Sequence, residues 1–184
     1  DSIKCLDAIR FLTFTWVVCA HGSLFSANVD NGLRIFKEPD YILSDLFFNA
    51  VVSVDTFFLI SGLLVTYLFF LKSGRDPHMV RDPSTWILHY THRWLRLTPA
   101  YIFFIAFYIV WTPQLHGPWS TESGFTLNFS LMVESCKTNW WQNALYINNI
   151  EGANSMCYPI SWFLAVDTQL YLVAPLFLLA FVYS

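Results

Sequence analysis

Four long apolar stretches constrain the fold of this chain more than any other feature of its sequence, because a helix needs about 20 largely apolar residues to cross a bilayer. They lie at about residues 8–25, 46–71, 97–111 and 162–183. Charged residues make up only 12% of the 184 residues and aromatic residues 19%, which leaves too little charge to cover a small soluble protein. A soluble enzyme, a nucleic-acid-binding protein and a disordered chain are therefore poor interpretations. We expect an all-α fold, a polytopic transmembrane bundle with four spanning helices.

The lysines and arginines predict an orientation, since cytoplasmic loops carry an excess of both. If the N-terminus is cytoplasmic, seven of the ten fall on the inner side, namely Lys4, Arg10, Lys72, Arg75, Arg81, Arg93 and Arg96. We therefore expect a multi-pass protein of the plasma membrane or an endomembrane with its N-terminus in the cytoplasm. The start at Asp1 and the end within a helix predict a piece of a longer protein.

The segment between the third and fourth stretches, residues 112–161, is then expected outside the cytosol. It contains the acceptor sequence for N-glycosylation at Asn128. It also contains Cys136 and Cys157, which form either a disulfide or two free thiols in such a loop. Its apolar run at residues 140–147 predicts a short helix at the membrane interface.

Polar residues inside apolar spans are costly and are candidates for function. Arg10 and His21 are eleven residues apart, which places them on nearly the same face of a helix. Arg10 is either a snorkelling anchor or part of a functional face, and His21 is either a packing residue or a general base for a hydroxyl nucleophile. Asp55 is expected at a similar depth, where it either orients the imidazole or is bonded to nearby backbone and hydroxyl groups.

A helix over residues 84–97, with Ser84 as its cap, has its cationic side chains on one stripe, namely His89, His92, Arg93 and Arg96. This pattern predicts an amphipathic helix at the inner membrane surface. Its basic stripe either attracts anionic lipid head groups or binds the phosphates of a cofactor, since two guanidiniums one turn apart can bind phosphate oxygens bidentately. Asp167 and Gln169, at the outer end of the last span, either line an acceptor pocket or join helices through hydrogen bonds.

Several of these runs resemble the acyltransferase 3 family of integral membrane acyltransferases, and in particular its animal branch named nose resistant to fluoxetine. The similar runs are residues 5–10 with the pair 21–22, and residues 54–62, 93–96, 139–149 and 161–167. They occur in the family's order over nearly the whole chain, so residues 1–184 are expected to be the N-terminal part of a single acyltransferase 3-type membrane domain.

The resemblance implies a role for several residues. His21 corresponds to the catalytic histidine, and Arg10 to the arginine that precedes it. Arg93 and Arg96 correspond to a pair associated with the acyl-CoA donor. A lumenal cysteine pair of the animal branch corresponds to Cys136 and Cys157.

Together these features predict O-acyl transfer across the bilayer. Arg93 and Arg96, with Arg10, are expected to hold the phosphates of cytoplasmic acyl-CoA. His21, oriented by Asp55, is expected to deprotonate a hydroxyl acceptor on the outer side. The expected partners are acyl-CoA, this acceptor, membrane lipids and the C-terminal remainder of the chain, with no metal and no nucleic acid. A lipid or small-molecule transporter and a non-catalytic membrane scaffold are the alternatives.

Overall fold

The computed structural model describes residues 4–26, 45, 49–114, 129–150, 152 and 156–183, and over these residues the chain is helical with no strand. The helices are α1 (Lys4–Ser26), α2 (Ser53–Arg75), α3 (Pro83–Trp111), α4 (Phe129–Ala144) and α5 (Trp162–Tyr183). Short 3₁₀ turns cover Asn49–Val52, Pro77–Arg81, Thr112–Gln114 and Pro159–Ser161. The all-α prediction is confirmed for this part of the chain. The glycosylation site predicted at Asn128 lies outside it.

Within the described ranges, three segments are long and apolar enough to cross a membrane, namely Asn49–Arg75, Pro83–Gln114 and Pro159–Val182. They contain three of the four predicted spans and support an integral membrane protein. Helix α1 has 23 residues and is not among these segments. A fourth crossing by α1 therefore stays a prediction.

The prediction of a separate amphipathic helix before the third span is wrong, because residues 83–111 form the single 29-residue helix α3. No capping residue interrupts the sequence between the two predicted elements, and the helix continues through Pro99. The cap is Asp82, two residues before Ser84, which the sequence predicts as the cap. The Ser84 N–H donates to Asp82 Oδ1 at 3.0 Å and the Ser84 hydroxyl donates to Asp82 Oδ2 at 2.6 Å. Both bonds hold the pKa of the Asp82 carboxyl below its ordinary value.

The chain divides into two compact units, one made of residues 1–60 and 112–131 and the other of residues 61–111 and 132–184. In the first unit, α1 contacts the turn at Asn49–Val52. The buried residues here are small, with Thr13 8%, Ala50 7% and Ser53 0% exposed. The Ser53 hydroxyl donates to the Ala50 carbonyl, which satisfies its polar group in this buried position.

The second unit has an apolar core where the C-terminal halves of α2 and α5 meet the start of α3. Phe69 of α2, Val80 of the following turn and Leu178 of α5 form its centre. Trp86 of α3 packs against them, and its indole N–H donates to the Val80 carbonyl at 3.1 Å. This core fixes α2, α3 and α5 to one another in the unit.

We call residues 132–158 the disulfide hairpin, and its described residues pack along the second half of α3. Tyr108 of α3 contacts Met132 near the start of the hairpin, and Tyr101 bonds to Asn143 eleven residues later. Helix α4 therefore runs antiparallel to α3. Residues 140–147 are the end of α4 and the turn after it rather than a short helix of their own, and their expected place at the membrane interface stays a prediction.

Cys136 and Cys157 form a disulfide across the hairpin, and both are fully buried. Of the two alternatives that the sequence left open, the structure therefore has the cross-link rather than two free thiols. The extracytoplasmic position of this segment stays a prediction.

Candidate functional site

His21 lies on α1 and is partly buried. Its Nδ1 is 2.8 Å from the carbonyl oxygen of Val17, one turn earlier. A carbonyl oxygen only accepts hydrogen bonds, so we assign the proton to Nδ1. In the neutral ring, Nε2 then carries the lone pair and is the nitrogen able to accept a proton.

The structure does not join His21 to Asp55. No hydrogen bond or ion pair links them in the described part of the first unit, and the Asp55 side chain is exposed. The ring is held by the backbone of its own helix at Val17 instead. Arg10 forms an ion pair with Asp7 at 3.7 Å, in which both side chains are about half exposed at 43% and 52%. An exposed pair of this kind contributes little to stability, so Arg10 stays accessible to an anion.

Arg93 is held from two sides in the second unit. Its Nη2 forms an ion pair with Asp167 Oδ2 of α5, and the two side chains are only 18% and 15% exposed. Its guanidinium carbon also lies 4.1 Å from the centre of the Tyr171 ring, a cation–π contact. Arg96, one turn later, is exposed and has no ion pair within the described residues. The two arginines predicted as a pair therefore have different environments. The ion pair also corrects the expected depths, because Arg93 was expected at the inner surface and Asp167 at the outer end of its span, whereas two side chains in contact lie at one depth.

His89 extends this arrangement by one residue. Its ring stacks on Tyr171 with centroids 4.3 Å apart and an interplanar angle of 7°, and the Tyr171 hydroxyl is 3.0 Å from His89 Nδ1. No role for Tyr171 was predicted from the sequence. The sequence contained a signal for this arrangement. His89 and Arg93 are four residues apart on α3, so they share a helix face. The same spacing relates Asp167 and Tyr171 on α5.

A groove of about 230 Å³ opens beside these residues in the second unit. We call it the Arg93 groove. It is lined from α3 by Tyr90, Arg93, Trp94 and Leu97, from the hairpin by Ala144, Leu145 and Tyr146, and from α5 by Thr168, Tyr171 and Leu172. Most of this lining is aromatic or aliphatic, and Arg93 supplies its positive charge.

Tyr146, one of the residues that line the groove, has a strained backbone conformation. Its φ of 57° is in the left-handed region, which bulky residues rarely adopt. It occupies the position after α4 where glycine is usual, since its N–H donates to the Asn143 carbonyl and the next N–H donates to the Gln142 carbonyl. Strain of this kind persists only where the surroundings impose it, and it is common at functional sites.

Three interactions impose the Tyr146 conformation. Its hydroxyl is 2.9 Å from Thr98 Oγ1, its ring stacks on Tyr101 with centroids 5.7 Å apart, and its carbonyl accepts a 2.8 Å hydrogen bond from the amide of Gln169. The Gln169 amide also exchanges two hydrogen bonds with Asn149. In the structure, Gln169 thus joins α5 to the hairpin, the second of the two roles considered for it.

Buried asparagines complete the hairpin. The side-chain amides of Asn143 and Asn148 both donate to the Ser161 hydroxyl oxygen, at 3.1 and 2.9 Å. Asn143 also donates to the Tyr101 hydroxyl at 2.6 Å. The two asparagines are 0% and 1% exposed. This polar network keeps the hairpin at a fixed position on α3.

We expect Tyr146→Phe to destabilise the full-length protein by about 1 kcal/mol, because it removes the hydrogen bond to Thr98 and leaves the ring in place. Thermal unfolding of the purified protein in detergent measures the loss. Tyr67→Phe, on an exposed position of α2, is the matched control and should leave the unfolding temperature unchanged. Equal unfolding temperatures for the two variants would show that the buried hydrogen bond does not support the hairpin.

These features define a helical membrane protein with a candidate base on α1 and a guanidinium held beside a groove. Comparison with known families assigns the chain to a class of proteins. The family model for the acyltransferase 3 domain matches residues 3–183. The chain belongs to the acyltransferase 3 family, as the resemblance of its motifs indicated, and it carries an acyltransferase domain.

Individual relatives agree with this assignment. Nose resistant to fluoxetine protein 6 of Caenorhabditis elegans is 28% identical over 97% of this chain and 22% of the relative. Regulator of hypoxia-inducible factor 1, from the same organism, is 28% identical over 97% of this chain and 34% of the relative. A Staphylococcus aureus protein described as a candidate O-acetyltransferase is 31% identical over 71% of this chain and 20% of the relative. The chain thus spans about a third or less of each of these relatives. No solved structure matches it.

Proposed function

We propose that this chain is part of a membrane O-acyltransferase that moves an acyl group from cytoplasmic acyl-CoA to a hydroxyl acceptor on the extracytoplasmic side. Membership of the family and the O-acetyltransferase named among the bacterial relatives support the class of reaction. The observation that carries the proposal is the hydrogen bond from His21 Nδ1 to the Val17 carbonyl. It leaves Nε2 as the basic nitrogen of a ring whose orientation is fixed.

In this reaction His21 Nε2 takes the proton of the acceptor hydroxyl while the hydroxyl oxygen attacks the thioester carbonyl. The new carbon–oxygen bond forms and the carbon–sulfur bond of the donor breaks. The leaving thiolate takes the proton back from the imidazolium, so the products are an ester and free coenzyme A. General base catalysis of this kind accounts for about a hundredfold to ten-thousandfold of an enzyme's rate.

Arginines supply the positive charge that the donor phosphates require. Arg10 and Arg96 have exposed side chains, and Arg93 lines the groove between α3 and α5. A guanidinium binds phosphate oxygens through parallel N–H groups and keeps its charge at every physiological pH. We assign the donor's phosphates to these residues. We assign no role in the chemistry to Asp55, which is exposed and forms no hydrogen bond or ion pair with His21 among the described residues.

The test is transfer of a radiolabelled acetyl group by the purified full-length protein in liposomes. Acetyl-CoA is supplied with a panel of lipid, sugar and sterol hydroxyl acceptors, and the labelled ester is separated from the donor. The proposal expects ester formation that requires both the protein and a hydroxyl acceptor. Movement of an acceptor across the liposome without acetyl-CoA, and without ester, would instead establish a transporter. Neither ester nor movement with any acceptor would favour a scaffold.

A further inference from the structure

We propose that Asp167 is a positioning residue, which holds the Arg93 guanidinium in the orientation that binds the phosphates of the donor. Tyr171 assists it from the next turn of α5. This inference rests on the proposed function and assigns a task to a residue that the sequence placed either in an acceptor pocket or at a helix contact. It is carried by the ion pair and the cation–π contact described above.

An unrestrained arginine is a poor starting point for binding, because its long side chain samples many rotamers and loses that freedom when a ligand fixes it. The Arg93 side chain has already lost this rotamer freedom. Asp167 contacts one end of the guanidinium and the Tyr171 ring covers a face. A group that is ordered before the ligand arrives does not lose conformational entropy at the binding step, so the affinity rises.

The contact with Asp167 does not use all the hydrogen-bond donors of the Arg93 guanidinium. Arginine has five N–H donors, and the ion pair is formed through Nη2. The Arg93 Nε–H is buried and has no hydrogen-bond acceptor among the residues that the structure describes. Arg93 also lines the groove together with aromatic and aliphatic side chains. Hydrogen bonds remain for an anionic oxygen on a cation that is already oriented.

Arg96 shows what the restraint adds. It lies one turn from Arg93 on the same helix, yet it is exposed and no described carboxylate pairs with it. A phosphate can attract this side chain by charge, but nothing orders it beforehand. The two arginines therefore divide the task, with Arg93 fixing the position of the donor and Arg96 adding positive charge.

Titration of the purified full-length protein with coenzyme A, followed by calorimetry, tests the inference. Asp167→Asn keeps the shape of the side chain and removes its charge, so we expect it to weaken coenzyme A binding by about tenfold to a hundredfold. Asp167→Glu keeps the charge and should recover part of the affinity. Glu134→Gln removes a carboxylate from an exposed ion pair with Lys137 and is the matched control. We expect it to bind coenzyme A like the wild type.

Steady-state rates separate positioning from general support of the fold. A positioning role predicts that Asp167→Asn raises the KM for the donor about tenfold or more, while kcat at saturating donor and the KM for the acceptor change less than twofold. A general structural defect would lower kcat as well. If Asp167→Asn does not fold, Tyr171→Leu and Tyr171→Phe replace it, and the leucine variant should bind more weakly because only phenylalanine keeps the ring.

The outcomes distinguish the inference from the proposed function. If the wild type binds coenzyme A and Asp167→Asn binds it equally well or more tightly, Asp167 does not position Arg93, although the transferase proposal stands. Equal affinities of the two Tyr171 variants would likewise overturn the assisting role of the ring. If the wild type binds no coenzyme A and forms no ester, the proposed function falls and this inference falls with it.

Discussion

His21→Ala is expected to lower the acyl-transfer rate of the full-length protein by about a hundredfold to ten-thousandfold, because alanine cannot take the proton of the acceptor hydroxyl. The loss should be in kcat. Donor affinity should stay near that of the wild type, since the donor's phosphates are assigned to arginines. The measurement is the initial rate of ester formation at saturating acetyl-CoA, with coenzyme A binding by calorimetry as the second readout.

His78→Ala is the matched control for this prediction. His78 is an exposed residue of the 3₁₀ turn Pro77–Arg81, and the proposed reaction gives it no part. The control variant should retain the full rate. Undiminished turnover by His21→Ala would remove His21 from the chemistry and would transfer the role of base to another residue of the full-length protein.

Cys157→Ser is expected to destabilise the protein by about 3 kcal/mol, the size expected when a disulfide closes a short loop. The two cysteines are 21 residues apart. The cross-link lowers the conformational entropy of the unfolded hairpin, and its loss also leaves a buried thiol and hydroxyl where both side chains were fully enclosed. The measurement is the denaturation midpoint of the full-length protein under oxidising conditions.

Cys5→Ser is the control here, because Cys5 is an exposed thiol outside the disulfide. It should leave the midpoint unchanged, and Cys136→Ser should reproduce the effect of Cys157→Ser. A reducing agent should lower the wild-type midpoint toward that of the two disulfide variants and leave theirs in place. A wild-type midpoint that does not respond to reduction would mean that the cross-link adds nothing to stability.

The class of protein could be predicted from the sequence because the membrane dictates it. Spanning helices must be long and apolar, so the stretches that became α2, α3 and α5 are visible in the sequence. The family could also be predicted, since the motif runs around His21 and Arg93 occur in order along the chain. Both conclusions depend on local runs of residues, and neither requires knowledge of which helices touch.

The remaining features depend on contacts that no local pattern specifies. Arg93 and Asp167 are 74 residues apart, so their ion pair follows from how α3 and α5 pack. The sequence gives each residue two plausible roles and no means of choosing between them. The length of α3 was missed for a different reason. A basic stripe followed by Pro99 has the local features of a helix boundary, whereas packing continues the helix through it.

The disulfide hairpin has a consequence for the order in which the protein is assembled. Helix α4 has 16 residues, fewer than the roughly 17 to 25 that span a bilayer, and the side-chain amide of its Asn143 donates to partners on α3 and on the turn before α5. The hairpin therefore has no stable place until both of those neighbours have been synthesised. Docking of the hairpin should therefore follow the synthesis of the turn before α5, and a chain halted before Ser161 should expose it to chaperones.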